Sequence, residues 1–285
     1  MPDFYKYHGL GNDYLVLDPA RFPFHPSPEA VRAVCDRNFG VGSDGILLGP
    51  LPGSGPQDRF SLRIFNPDGG EAEKSGNGLR IFSWYLFEQG YVDAGPFPVR
   101  TLSGLVSSRI VDPAAKQVEV NMGPANFDAR NAAPSAQRAE ILDQPYTFAG
   151  ESCRISFVSM GNPHCVILGQ AVNEALARRL GPVVECSPLF PAKTNVQFLE
   201  VLSPSEIRIQ IWERGAGYTL ASGSSSCAAA AVARRLGLVG DEVSVRMPGG
   251  VLKIAFQQGS VWLTGPVAKV MEGTFAEELA ARIRN

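Results

Sequence analysis

The feature that most constrains the fold is an internal repeat at an offset of 147 residues. Phe65-Asn66 through Gly70, then Ser75-Gly76-Asn77-Gly78 and an apolar helix to Gly90, is echoed by Trp212-Glu213 through Gly217, then Ser222-Gly223-Ser224-Ser225 and an Ala-rich helix to Gly237. Each copy runs on into a strand, PVRTLSG in the first and SVRMPGG in the second. A strand, a Gly-rich loop, a Ser-Gly turn, a helix and an exit strand used twice predict a duplicated domain. Two chance helix starts would not share their ends and their exit strands as well.

The two helices carry almost no polar face. Leu79, Ile81, Phe82, Trp84, Tyr85, Leu86 and Phe87 fill the first, and residues 227–232 are nearly all Ala in the second. A helix apolar all round is buried, so each is expected in the core of its own domain, wrapped by strands. Short β-branched or aromatic runs between Gly, Pro and Asn supply those strands: FYKY, DYLVLD, FSLRIFN, QVEVNMG, ISFVSMG, NVQFLEV, EIRIQIWE, EVSVRM, VLKIAF and VWLTG. Three more helices are predicted. One runs from Ser27-Pro28-Glu29 to about Asn38, with Ser as N-cap and Pro in the first turn. The others span roughly Val172 to Leu180 and Phe275 to Arg284. The stretch PLPGSGPQ, residues 50–57, reads as a solvated loop too short to link two domains.

Composition narrows the function classes. A chain of 285 residues has room for one large domain or two modest ones, and 45% hydrophobic with 19% charged residues excludes a disordered, collagenous or coiled-coil protein. With 26 Lys+Arg against 28 Asp+Glu and no basic run, neither a nucleic acid nor an anionic membrane is an expected partner. The N-terminus has no signal-peptide pattern and no apolar stretch approaches the roughly 18 residues of a membrane span, so a cytoplasmic protein is expected. Five cysteines without a CxxC fit a reducing compartment, with Cys35, Cys165 and Cys227 read as core residues. His8, His25 and His164 are too scattered for a histidine-rich metal site, and no metal is expected.

The repeated helix starts carry the chemistry. A helix N-terminus exposes unpaired N–H groups and the positive end of a dipole, which suits a carboxylate or phosphate. Two such ends, one per domain, suggest an anion held in a cleft between domains. A nucleotide fits poorly: there is no GxxxxGK[ST], and Gly9-Leu10-Gly11-Asn12-Asp13-Tyr14 breaks the dinucleotide pattern at its third glycine. A single Ser-Gly start is ordinarily only a cap; two at matching repeat positions favour a functional role.

Taken in order, KYHGLGNDYLVLD, GVGSDGILL, RIFNPDGGEAEKSGNG, VSMGNPHCVI, KTNVQF, WERGAGYTLASGSSSCAAA and LTGP resemble the diaminopimelate epimerases along nearly the whole chain. The resemblance implies an α+β fold of two pseudo-symmetric domains, each a strand-rich, barrel-like sheet around a buried central helix. Residues 1–121 with about 268–285 would form the first and residues 122–267 the second. It also implies a cofactor-independent amino acid epimerase, which takes LL- to meso-diaminopimelate on the way to lysine and peptidoglycan. Two bases on opposite faces of one α-carbon would exchange its proton. A homodimer is implied too, with Met271 standing where a tyrosine often marks the family's dimer contact.

In the family both bases are cysteines, at the positions of Ser75 and Ser222. A thiol, with a reference pKa of about 8.5, can be tuned to a thiolate at a helix N-terminus. A serine hydroxyl is a far weaker acid and needs an adjacent base. Cys227 lies five residues past Ser222 inside the buried helix and is no replacement. Ser225 stands where the family usually has Gly, Tyr218 where it has Glu, and Ile81 where another Cys is common, a pattern of natural divergence.

By resemblance His164 and Glu213 assist the acid/base pair beside the reacting ammonium. Asn12, Asn66, Asn162, Asn195 and Arg214 match positions that bind the distal amino acid end, and Gly76, Asn77, Gly223 and Ser224 match the donors around the reacting carboxylate. Standing alone, Asn12 and Asn66 would be turn residues, His164 a loop or core histidine, and Glu213-Arg214 a solvated pair. Asp44 and Asp68 read as structural or surface residues, and Lys74 beside Ser75 as a surface residue or a candidate base. Two other functions compete: a proton-shift isomerase on another small acid, as in relatives from phenazine biosynthesis, and a ligand-binding homologue that is catalytically silent because both positions are Ser.

Overall fold

The structure, a computed structural model, describes residues 2–52, 60–131 and 139–283. Most of the expected loop at 50–57, together with Arg284, lies outside the described residues. The chain divides into two compact units, Met1–Val120 with Gly265–Asn285, and Asn121–Thr264.

The first unit opens on a hairpin of β1 (Phe4–Gly9) and β2 (Asn12–Leu17). Its two turn residues, Leu10 and Gly11, both have positive φ, as a two-residue hairpin turn of this twist requires. After α1 (Pro28–Cys35), β3 (Ile46–Leu51) pairs parallel to β2 and antiparallel to β4 (Ser61–Phe65), which turns back into the short β5 (Glu71–Ala72). Helix α2 (Gly76–Glu88) follows, then β6 (Phe97–Thr101), parallel to β4, and the meander through β7 (Gly104–Asp112) to β8 (Gln117–Gly123).

The second unit begins with β9 (Gln144–Phe148), antiparallel to β10 (Glu151–Ser159), and then repeats the sequence of pairings. Strand β10 forms a hairpin with β11 (Pro163–Leu168); α3 (Glu174–Glu185) follows; β12 (Asn195–Ser203) pairs parallel to β11 and antiparallel to β13 (Glu206–Glu213). The short β14 (Gly217–Thr219), helix α4 (Gly223–Arg235), and β15 (Glu242–Met247) parallel to β13 come next, with β16 (Gly250–Gln257) and β17 (Ser260–Pro266) as the meander. The chain then returns to the first unit, where β18 (Ala268–Gly273) pairs with β1 and α5 (Glu277–Ile283) joins α1 in a cluster of Val31, Val34, Phe275, Ala280 and Ile283. The repeat is therefore the whole unit, with the same pairings in the same order, in a strand-rich α+β fold with five helices among the described residues.

Both central helices are enclosed. Leu79, Ile81, Phe82, Tyr85 and Leu86 on α2 have no exposure, as do Cys227 through Ala230 on α4. Burying each large side chain contributes about 1.5–3 kcal/mol. Cys35, Cys165 and Cys227 are buried as expected.

Three boundaries differ from the sequence expectation. Helix α1 stops at Cys35, not near Asn38, because the Asp36 carboxylate accepts from the Asn38 and Phe39 amides, both at 2.7 Å, a local turn that competes with the helix. Helix α3 starts after an Asn173 cap and runs past Leu180 to Glu185, through Gly181-Pro182, a pair that reads as a helix stop. Packing overrides it: a Cβ on Gly181 would lie 2.5 Å from Trp212 Cγ, so only glycine lets the helix sit against that indole. Pro50 and Leu51 belong to β3, where Leu51 pairs with Ser61, and not to a loop.

Candidate active site

In the first unit, Ser75 caps α2, its Oγ accepting the Gly78 amide at 3.0 Å. The Tyr14 hydroxyl lies 3.2 Å from the same Oγ. Gly45, beside Tyr14 on the approach to β3, makes that possible, since a Cβ there would sit 2.7 Å from the Tyr14 ring. With Gly78 used by the cap, Gly76 and Asn77 remain as the foremost helix-end amides.

The asparagines are tied into a chain. Asn12 donates to Asp44 Oδ2 at 2.9 Å and accepts from Asn77 Nδ2 at 2.9 Å; Asn77 in turn accepts from Arg80 Nη2 at 2.9 Å. Arg80 is fully buried on a helix whose pattern reads as apolar. Arg37 bridges Asp13 and Asp44, both at 2.7 Å. Burial works to raise the Asp13 carboxyl, but Arg37 and Lys6 outweigh it and hold it below the usual range. Asp44, expected to be structural or surface, thus sets the orientation of Asn12. Asn66 is apart from this chain: its side chain is exposed, and its backbone closes the turn to Gly70 at 2.8 Å.

In the second unit, Ser222 caps α4 and is 4% exposed. Its Oγ donates to Glu213 Oε2 at 3.4 Å, joining a hydroxyl to a carboxylate at the helix end, next to the amides of Gly223 and Ser224. Glu213 ends β13, and Arg214 opens the turn to β14. Glu185 pins that turn by accepting from Trp212 Nε1 at 2.8 Å and from the Gly215 amide at 3.0 Å. Asn195 spends both ends of its amide on the chain, donating to the Pro163 carbonyl at 2.9 Å and accepting the Arg214 amide at 3.0 Å.

His164 on β11 is fully buried beside Asn195 on β12, with Nε2 2.8 Å from Asn162 Oδ1. Burial drives its pKa down to about 3, against a raising contribution from Gln197 and with a smaller lowering one from Arg214. The imidazole is therefore neutral at physiological pH. Gln197 also donates to Ser225 Oγ at 3.0 Å. Tyr14, Arg80, Glu185 and Gln197 are the site neighbours that sequence reasoning missed. Each reads locally as an ordinary strand or helix residue.

Among the described residues no group of three or more His, Cys, Asp or Glu is placed to hold a metal ion, and no helix is long and apolar enough to cross a membrane.

The chain is 50% identical over 279 residues to diaminopimelate epimerase 2 of Nostoc sp., covering 98% of this chain and 97% of that one. It is 39% identical over 277 residues to the diaminopimelate epimerase of Moorella thermoacetica, covering 95% and 98%. Among solved structures, a probable proline racemase from Agrobacterium radiobacter superposes with a TM-score of 0.71 at 17% identity, over 97% of this chain and 93% of that one, which shows a shared fold. The diaminopimelate epimerase family model matches residues 4–128 and 156–273, which span both repeated units and both capped helices, so the chain belongs to the diaminopimelate epimerase family.

Proposed function

We propose that this chain is a cofactor-independent epimerase that moves a proton at the α-carbon of diaminopimelate, from the LL to the meso form. The observation that carries the reading is the Ser222–Glu213 hydrogen bond at the start of α4. A hydroxyl cannot act as the base alone, and here a carboxylate stands ready to take its proton.

In this reading the α-C–H bond breaks and the proton passes to the Ser222–Glu213 pair. The electron pair delocalises into the substrate's α-carboxylate. Amides of Gly76, Asn77, Gly223 and Ser224, with two helix dipoles behind them, stabilise that charge. A proton then returns to the opposite face of the carbon from Ser75. Arg214 holds the distal carboxylate, a role suited to its forked donors. Asn195 fixes the backbone of Arg214, and Asn12, Asn66 and Asn162 complete the recognition of the distal end. Neutral His164 offers hydrogen bonds near the reacting ammonium without adding a second positive charge. The protein acts in the cytoplasm as a homodimer that includes β18, where Val270 and Met271 are each 48% exposed.

The test is to incubate the purified protein with LL-diaminopimelate in D2O and follow α-carbon deuterium by mass spectrometry and isomer composition by chiral chromatography. Deuterium entering with formation of the meso isomer, and loss of both in Glu213→Gln, is the expected result. No incorporation above the protein-free control refutes the reading; binding by titration without exchange would identify a silent ligand-binding homologue instead.

A further inference from the structure

We propose that Tyr14 is a positioning residue for Ser75: its phenol holds the serine hydroxyl toward the substrate and restores the proton that Ser75 delivers. The inference rests on the epimerase reading above and supplies what that reading lacks, a proton source behind the first serine.

Tyr14 is 6% exposed, and its hydroxyl lies 3.2 Å from Ser75 Oγ. A serine oxygen has one proton and two lone pairs. The Gly78 amide occupies one lone pair at 3.0 Å. With Tyr14 donating to the other, the only group Ser75 has left to offer is its own O–H, as an acid facing the reaction requires.

The duplication gives an independent argument. Gly11-Asn12-Asp13-Tyr14 and Gly161-Asn162-Pro163-His164 correspond at a constant offset of 150 residues. Both stretches begin the second strand of a hairpin, and both strands pair parallel to the strand that follows, β2 with β3 and β11 with β12. Tyr14 therefore occupies in the first unit the position of His164 in the second. The scaffold presents a side chain capable of proton chemistry at this position twice, an imidazole once and a phenol once.

The proton inventory closes. As Ser75 gives its proton to the α-carbon, the Ser75 O–H bond breaks and a C–H bond forms; the Tyr14 O–H bond breaks and a new Ser75 O–H bond forms. The charge of the carbanion ends on the phenolate, while Glu213 holds the proton taken from the other face. Water resets both groups, protonating Tyr14 and deprotonating Glu213.

The experiment uses the full chain as wild type, Tyr14→Phe, Ser75→Ala and the double variant, each given LL- and meso-diaminopimelate in D2O. Phenylalanine keeps the buried ring and removes only the hydroxyl. Tyr14→Phe is expected to lower kcat for inversion about 100-fold, the scale of a lost acid–base group, with KM changed less than about threefold. With one of the two substrates, exchange with retention should overtake inversion, because a carbanion denied its proton from Ser75 is reprotonated on the face it came from. In the Ser75→Ala background Tyr14→Phe should add nothing further. Inversion within about twofold of wild type, or an equal loss in both backgrounds, overturns the role of Tyr14 while the epimerase reading stands. A wild-type protein that neither exchanges nor inverts overturns both.

Discussion

Glu185 allows the second half-site to be perturbed without touching its chemistry. Its side chain is 8% exposed, and its carboxylate accepts from Trp212 Nε1 at 2.8 Å and the Gly215 amide at 3.0 Å, with Lys193 Nζ at 3.6 Å. Burial works to raise this carboxyl, but those hydrogen bonds and Lys193 outweigh it, so it titrates below the ordinary glutamate range. Glu185→Ala removes two hydrogen bonds to a charged acceptor, each worth about 1.5–3 kcal/mol. Gly215 is exposed and regains water, so the lower half of that sum applies, a loss of about 3 kcal/mol. Glu185→Gln keeps the shape and one acceptor oxygen, and should cost about half as much. Urea unfolding followed by tryptophan fluorescence reads this directly, since Trp212 and Trp262 both lie in the second unit. A carboxyl with a depressed folded pKa stabilises fully above its unfolded pKa and loses that contribution as pH falls through the folded value. The gap between wild type and Glu185→Gln should therefore shrink on acidification below about pH 4. Two variants within about 0.5 kcal/mol of wild type, or a gap that widens in acid, would refute the account. Because Gly215 anchors the turn carrying Glu213 and Arg214, Glu185→Ala should also lower exchange activity.

With His164 held near a pKa of about 3, its ring should stay neutral down to about pH 4, and the ring resonances that vanish in His164→Gln should show no titration across pH 4–8 in the wild type. A His164 ring titrating near pH 6.5 would mean that the site is wetter than its burial implies. Replacing both Ser75 and Ser222 by Cys should raise the α-proton exchange rate, since a thiol at a helix N-terminus ionises far more readily than a hydroxyl. A double variant that binds diaminopimelate but exchanges no faster would argue against these two positions as the bases.

Much of the fold is legible in the sequence because strands and buried helices write their periods locally. The ten apolar runs read as strands all lie on strands, and the apolar faces of α2 and α4 mark their burial. The full extent of the duplication is not legible, for a specific reason. The hairpins correspond at an offset of 150 and the capped helices at 147, so the connections between them differ by three residues and a search at one offset sees only part of the unit. Site residues divide the same way. Ser75 and Ser222 stand out because a cap is a local motif. Tyr14 is 61 residues from Ser75, and Glu185 is 27 from Trp212, and only the packing of a helix against a strand brings either pair together.

On the proposed mechanism, duplication also explains how one scaffold supplies two unlike proton-transfer groups. Where the first unit has Asn66 after β4, the second has Glu213 at the end of β13; where the first has Tyr14, the second has His164. The asparagines at positions 12 and 162 and the capping serines are unchanged between the units, so on the proposed mechanism the unchanged part would hold the ligand and the divergent part would set acidity. Epimerisation needs one face to accept a proton while the other gives one. On the proposed mechanism a carboxyl stands behind one serine and a phenol behind the other, and free groups of those two kinds ordinarily titrate about six pH units apart. On that mechanism each turnover would leave the carboxyl protonated and the phenol ionised, a state that water must reset. Two identical thiols would hold the two states close in energy. On the proposed mechanism, two unlike groups behind the serines would therefore make the climb to the products of each proton transfer steeper than two thiols do.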